Sequence, residues 1–266
     1  MWTFTSDLEE YARVAEPFLL GDPVRNTVAL TVLANLRAGM PVENPRFGWW
    51  TACGEVRGAY FHTPPHPVGL ADMPVEAVAP LMEALGGALH GVVGRVELTD
   101  EAQRVLGAPK QVVPERLYRL GTLAVPDVPG HGRFAVPADF PLLVSWYQAF
   151  AEEVATGGHD DVTDRVARRV AARELFVWEA GGAPVSLAGL SPEAGGVCRV
   201  GPVYTPPSCR RKGYGSAVTA YASGVGLAER CDEVVLFTDL GNPTSNAIYQ
   251  SIGYRPVCDY AHVTYS

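Results

Sequence analysis

The chain has 266 residues, 47% of them hydrophobic and 19% charged, with a net charge of −8 at neutral pH. That composition excludes a disordered tail, and the acidic balance argues against a general nucleic-acid binder, which needs a basic face for phosphates. The length allows one large domain or two ordinary ones. Five cysteines, an odd number with no C-x-x-C pair, read as free thiols of a reducing cytosol. The first residues lack a basic segment followed by an apolar run, so no secretory signal is expected and the predicted location is cytoplasmic. The most apolar long stretch, about Val75 to Val93, is interrupted by Glu76, Glu83 and His90, and predicts a core helix plus a loop in place of a membrane span. His62, His66, His90, His131, His159 and His262 have no metal-ligand spacing, so no metal site is expected.

In chain order, Ser6-x-x-Glu9 predicts a capping box that opens a helix to about Phe18. Asp22-Pro23 predicts a second helix with Val28, Val32 and Leu36 on its buried face. Arg46 to Phe61 predicts a strand pair turning near Gly54. Trp49, Trp50, Tyr60 and Phe61 cluster there, either as core or as a wall of a pocket for a cationic or aromatic group. Two prolines and two glycines between Val125 and Arg133 predict a linker, which divides the chain into 1–130 and 131–266. Asp7 to Phe18 echoes Asp139 to Phe150, and Phe47-Gly-Trp49 echoes Phe176-Val-Trp178, at displacements near half the chain length. A duplicated α/β domain is the reading.

In the second part, Asp139 predicts a helix to about Val154, and Leu175–Trp178 with Val185–Leu190 a hairpin around Gly181-Gly182. Val197 to Thr205 reads as a strand, and the glycine turn at 213–215 opens a helix to about Arg230. Glu233 to Asp239 is another strand. Asn242 caps a short helix with Pro243 at its first position and Gly253 past its end, and Tyr254 to Tyr265 is the last strand. Strands, helices and a hairpin in this order give a mixed-sheet α/β class.

The most informative stretch is Val203-Tyr204-Thr205-Pro-Pro-Ser-Cys-Arg210-Arg211-Lys212-Gly213-Tyr214-Gly215-Ser216. A strand running into a glycine turn at a helix start presents backbone N–H groups at the positive end of the helix dipole, which is an anion site. Gly213 and Gly215 clear the approach, and Arg210, Arg211 and Lys212 add local positive charge to an acidic chain. The P-loop pattern is absent, and the dinucleotide fingerprint is incomplete because Val218 stands where its third glycine belongs. R-x-x-G-x-G after a strand resembles the pyrophosphate loop of the GNAT superfamily of N-acetyltransferases. Asn242-x-x-x-Asn246-Ala-Ile-Tyr249-x-x-x-Gly253-Tyr resembles that superfamily's second motif. The second part is also similar to the C-terminal domains of glycine N-acyltransferase relatives, and the whole chain to two-lobed bacterial acetyltransferases.

The resemblance implies a tandem GNAT fold, with a degenerate first lobe that shapes the acceptor cleft and a second lobe that binds acetyl-CoA. It implies that Asn242 and Asn246 border the pantetheine arm, although Asn242 could be only an N-cap. It also implies that Tyr249 sits beside the CoA sulfur, where a phenol can return a proton to a leaving thiolate. A backbone N–H at Val203 would hold the acetyl carbonyl. The implied reaction is direct attack of a small primary amine on the acetyl thioester, with a CoA-binding sensor or scaffold without catalysis as the alternative. No partner nucleic acid, membrane or metal is implied, and the oligomeric state is open.

The general base is not fixed by the motifs. Glycine acyltransferases carry a glutamate eleven residues before the loop arginine, where this chain has Arg199. Asp239 is the first candidate. Glu179, Glu193, His262 and the C-terminal carboxylate at Ser266 are others. Arg199 itself could face an acceptor carboxylate.

Overall fold

A computed structural model describes residues 1–87, 89–154 and 162–265. In chain order the first part carries β1 (Trp2–Thr5), α1 (Leu8–Leu19), α2 (Thr27–Arg37), β2 (Arg46–Ala52), β3 (Glu55–His62), β4 (Val68–Leu70), α3 (Val78–Leu85), β5 (Gly91–Arg95), α4 (Val96–Leu106) and β6 (Gln111–Leu120). The second part repeats that order: β7 (His131–Phe134), α5 (Phe140–Glu153), α6 (Thr163–Ala171), β8 (Leu175–Ala180), β9 (Ala183–Leu190), β10 (Val197–Tyr204), α7 (Tyr214–Glu229), β11 (Glu233–Asp239), α8 (Pro243–Ser251) and β12 (Tyr254–Thr264).

Local chemistry accounts for most element ends. The cap of α1 is Asp7 in place of Ser6: its carboxylate accepts from the Glu9 and Glu10 amides, a stronger anionic cap than a hydroxyl. α2 starts at Thr27, after a run of turns through Asp22–Asn26. Its buried face is Ala29, Leu30, Leu33 and Leu36, with Thr27 and Thr31, whereas Val28 and Val32 are only half-buried. The helix is apolar on most sides, so periodicity could not select the face. The apolar stretch from Val75 ends in a strand, β5, beyond its helix. The two echoed aromatic segments fall on β2 and β8, matching elements of the repeat.

The twelve strands of the described residues form one sheet, ordered β1-β2-β3-β4-β5-β12-β6-β11-β10-β9-β8-β7. The order is a palindrome of the two repeats with one exchange at its centre. β12, the last strand, lies between β5 and β6, while β6 lies between β12 and β11. Each repeat therefore completes its sheet with the other's final strand. The longest register in the sheet joins them, Tyr254↔Leu120 through Thr264↔Gln111. Two pairs are parallel and occupy equivalent positions: β4 with β5, and β10 with β11.

Helices cover both faces, and side-chain alternation sends each strand to two cores. Phe47, Trp49 and Phe61 pack with α1 and α2 on one face, while Tyr60 and the half-buried Trp50 belong to the core under α3 and α4 on the other. The aromatic cluster is thus divided by the sheet and forms no single pocket wall. In the second part α7 covers one face and α5 and α6 the other. A small junction core of Val24, Leu117, Val197, Val235 and Tyr260 joins the two parts. Among the described residues no helix is long and apolar enough to cross a membrane.

Candidate active site

Gly213 is the N-cap of α7, at φ +81, and no side chain caps this helix end. The left-handed conformation disfavours a side chain, and a Cβ there would also stand 2.9 Å from Val128 Cγ2. Among the described residues no side chain caps the first amides of α7, the arrangement that binds an anion. A Cβ on Gly215 would meet only Thr205 Oγ1, at 3.3 Å, so beyond that hydroxyl the approach to the helix end is clear.

The three basic residues divide their work. Arg210 is a strut: its Nε donates to the Thr205 carbonyl at 2.8 Å and its Nη2 to Glu153 at 2.5 Å. Arg211, at φ +63, and Lys212 are exposed and make no ion pair among the described residues. Tyr204 is core, its ring 6.2 Å from Trp146, and its carbonyl accepts from Ser186. The Thr205 hydroxyl bonds the same serine at 2.8 Å. Tyr214 and Ser216, in the first turn of α7, are half-buried.

β10 and β11 pair in parallel from Val197↔Glu233 to Val200↔Leu236 and no further. Beyond Val200, β10 bulges on its β9 side and resumes at Val203↔Ala188. Phe237, Thr238 and Asp239 stay with β6. The two strands part beyond Val200, and Val203 stands where they separate.

α8 closes one side of this opening. Asn242 accepts the Ser245 amide as its N-cap. Asn246 Nδ2 donates to the carbonyls of Asp239 and Asn242, and its Oδ1 accepts from Tyr118 Oη at 2.9 Å. Its amide is fully committed to joining α8, β11 and β6. Asn246→Ala should therefore cost about 2 kcal/mol, read as a lowered urea midpoint. Tyr249 is half-buried, edge-on to Tyr254 at 6.2 Å, and its hydroxyl has no hydrogen bond among the described residues. Burial pushes its pKa up to about 12, which keeps the phenol protonated. Tyr249→Phe should lower kcat about a hundredfold with unchanged CoA affinity, measured by stopped-assay thiol release and titration calorimetry.

The opposite face holds a second group of polar residues. Asp239 is exposed, and its Oδ1 accepts the Gly241 amide at 2.6 Å. Register pairs it with Glu115 of β6, which in turn faces Tyr260 of β12. Alternation puts Glu115 and Leu117 on the side of Val235 and Arg199. Burial is the main cause that raises the Glu115 pKa; the Asp239 charge adds to it, while His262 and Arg199 oppose it. The His262 Nε2 lies 3.8 Å from the Glu115 carboxylate, whose side chain keeps 27% of its exposure. Sequence reading missed Glu115 because it lies in the other repeat; its one signal is a glutamate alternating with Leu117 on a strand that otherwise buries Tyr118 and Leu120.

Arg199 is half-buried on this face and makes no ion pair among the described residues. Its Nη1 reaches the hydroxyls of Thr27 and Thr31 of α2 at 3.4 and 3.3 Å, long for hydrogen bonds. Burial, with the nearby Arg169 charge, pushes its pKa down to about 10. Of the other candidates, Glu179 is bound to Arg133, and Glu193 accepts the Gly196 amide. Ser266 and His159 lie outside the described residues. Among those described, no three His, Cys, Asp or Glu side chains gather to hold a metal.

Residues 140–254 match the model of the acetyltransferase (GNAT) family. A comparison with curated proteins finds no match. Among solved structures the chain is similar to a Drosophila protein, at TM-score 0.71 and 14% identity over 100% of this chain and 98% of that one. It is also similar to a GCN5-related N-acetyltransferase from Sphaerobacter thermophilus, at TM-score 0.62 and 15% identity over 99% and 95%. A tandem GNAT protein from the clavulanic acid biosynthesis pathway aligns at TM-score 0.57 and 12% identity over 99% and 98%. At these identities the likeness concerns the fold, which is that of a tandem GNAT along the whole chain. The family match lies on residues 140–254, the part of that fold that carries the open start of α7.

Proposed function

We propose that the chain transfers the acetyl group of acetyl-CoA to the primary amine of a small molecule, with residues 131–266 holding acetyl-CoA and residues 1–130 shaping the acceptor cleft. The observation that carries this reading is the uncapped N-terminus of α7, with Gly213 at its tip and Arg211 and Lys212 exposed beside it. The equivalent position in the first repeat, after β4, argues against a second cofactor site. There the chain runs Ala71-Asp72-Met73-Pro74 into a 3-10 turn at Val75–Ala77, without glycine and with Asp72 and Glu76 nearby. Asp72 is held by Arg95 at 2.8 Å, and the Glu76 carboxylate repels a pyrophosphate that the α7 loop attracts.

The residues divide the chemistry by face. The α7 amides, Arg211 and Lys212 take the phosphates, and the arm passes between β10 and β11 beyond Val200. Glu115 accepts the proton of the amine as its nitrogen bonds to the acetyl carbon, and half-exposed His262 leads that proton to solvent. The C–S bond breaks with its electron pair on sulfur, and Tyr249, from the α8 side, donates a proton to the departing thiolate. Asp239 works through Glu115, its charge favouring the protonated carboxyl. Asn246 positions α8, and Asn242 caps it.

Titration calorimetry with acetyl-CoA and a thiol-release assay over an amine panel test the reading. Tight binding and amine-dependent release are expected; absence of binding overturns it. The alternative, a CoA-binding sensor, requires binding with no amine-dependent release. The unbonded Tyr249 phenol and Glu115 favour transfer.

A further inference from the structure

Arg199 stands apart from the other arginines of the second repeat's core. Arg133 is matched by Asp139 and Glu179, and Arg169 by Glu174, with Arg169 also donating to Tyr147 and to the carbonyls of Leu190 and Gly201. A guanidinium held out of water without a carboxylate is costly and is ordinarily paired. Among the described residues the Arg199 side chain has two long bonds from one nitrogen, both to hydroxyls that reach it from α2 of the first repeat. Those hydroxyls neutralise nothing; Thr31 itself already donates to the Thr27 carbonyl. The guanidinium fork therefore has donors to spare at the seam between the repeats, on the face that carries Glu115.

We infer that Arg199 receives a carboxylate of the acceptor, so that the substrate is an amino acid or a similar small molecule bearing both an amine and a carboxylate. The inference rests on the transfer reading above. It follows from the pairing of unlike charges across one face: a cation at Arg199 with no carboxylate partner among the described residues, and the carboxylates of Glu115 and Asp239 toward the strand ends where β10 and β11 part. Glu115 and Arg199 lie within electrostatic reach of one another without forming an ion pair. An acceptor with the opposite polarity, carboxylate toward Arg199 and amine toward Glu115, complements both. Thr27 adds a hydroxyl that a bound carboxylate could share, while that of Thr31 is spent on the Thr27 carbonyl, so both repeats contribute to one subsite. The guanidinium fork suits a planar two-oxygen anion better than an ammonium would.

The test uses matched acceptors, free L-amino acids and their carboxamides, in the thiol-release assay with saturating acetyl-CoA. The free acids are expected to have kcat/KM about a hundredfold above the amides, mostly in KM. Arg199→Met should erase that preference by lowering kcat/KM for the acids to the level of the amides. Its acetyl-CoA affinity should be unchanged and its melting temperature equal or higher, because it removes an unpaired charge. Carboxamides used as well as the acids, or a preference that survives Arg199→Met, would overturn the inference while leaving the transfer reading intact. Loss of acetyl-CoA binding by the wild-type protein would instead overturn the transfer reading and this inference with it.

Discussion

Gly215→Glu should abolish acetyl-CoA binding, with no heat detectable by calorimetry at concentrations that saturate the wild type. The added Cβ itself is tolerated, since its nearest neighbour is Thr205 Oγ1 at 3.3 Å. The remainder of the side chain projects into the space in front of the α7 amides and brings a negative charge to it. At ~4 Å and an effective dielectric near 20, like charges repel by about 4 kcal/mol, roughly a thousandfold in affinity for each phosphate met. The fold should not suffer. Glutamate has the better helix propensity, and an acidic residue in a first helical turn is favoured by the dipole. A melting temperature at or above the wild-type value, together with absent binding, separates a blocked site from a misfolded one. Retained binding would remove the α7 start as the phosphate site.

Glu115→Gln should lower kcat about a thousandfold and make the protein more stable at neutral pH. The two effects share one cause. Burial and the Asp239 charge raise the Glu115 pKa above its ordinary 4.5, against the opposing His262 and Arg199 charges. A carboxyl with a raised folded pKa stabilises the fold fully below its unfolded value, and that contribution is lost as pH rises through the folded value. Above its unfolded value the carboxyl is thus a cost to the fold, which glutamine removes. The excess stability of the variant should grow as pH rises through the raised value and vanish in acid, as thermal melts across pH will read. Wild-type activity should fall on the acid side above the usual carboxylate range, and the variant should lose that limb of the profile. Equal activity of the variant at all pH would assign the proton to another acceptor. A gain in stability at the expense of rate is the pattern of a residue kept for chemistry.

The second repeat was largely legible because its signals are local. The Gly181-Gly182 hairpin, the glycine turn before α7, strand β11 and the Asn242–Pro243 start of α8 all lie where nearest-neighbour rules put them. Two errors in the first repeat were also local: Asp7 outcompetes Ser6 as a cap, and α2, apolar on most sides, conceals its buried face. What no local rule reaches is the exchange of β6 and β12. The pairing Asp239↔Glu115 joins residues from opposite repeats, so a search for the base among the sequence neighbours of the loop could not find it. Arg199 was singled out by sequence as a departure from a motif. Its lack of a carboxylate partner, and its contact with two threonines of the other repeat, emerge only from tertiary structure.

The strand exchange also bears on how such a chain can change over evolutionary time. A gene for residues 131–266 alone would encode a sheet with a gap between β11 and β12, where the N–H and C=O rows of both would lie open, inviting aggregation. It would also lack Glu115. Once two copies have traded their last strands, neither can be discarded without leaving the other's sheet open. The fusion works as a ratchet: either copy is free to remodel its loops and helices, provided that it keeps donating its last strand.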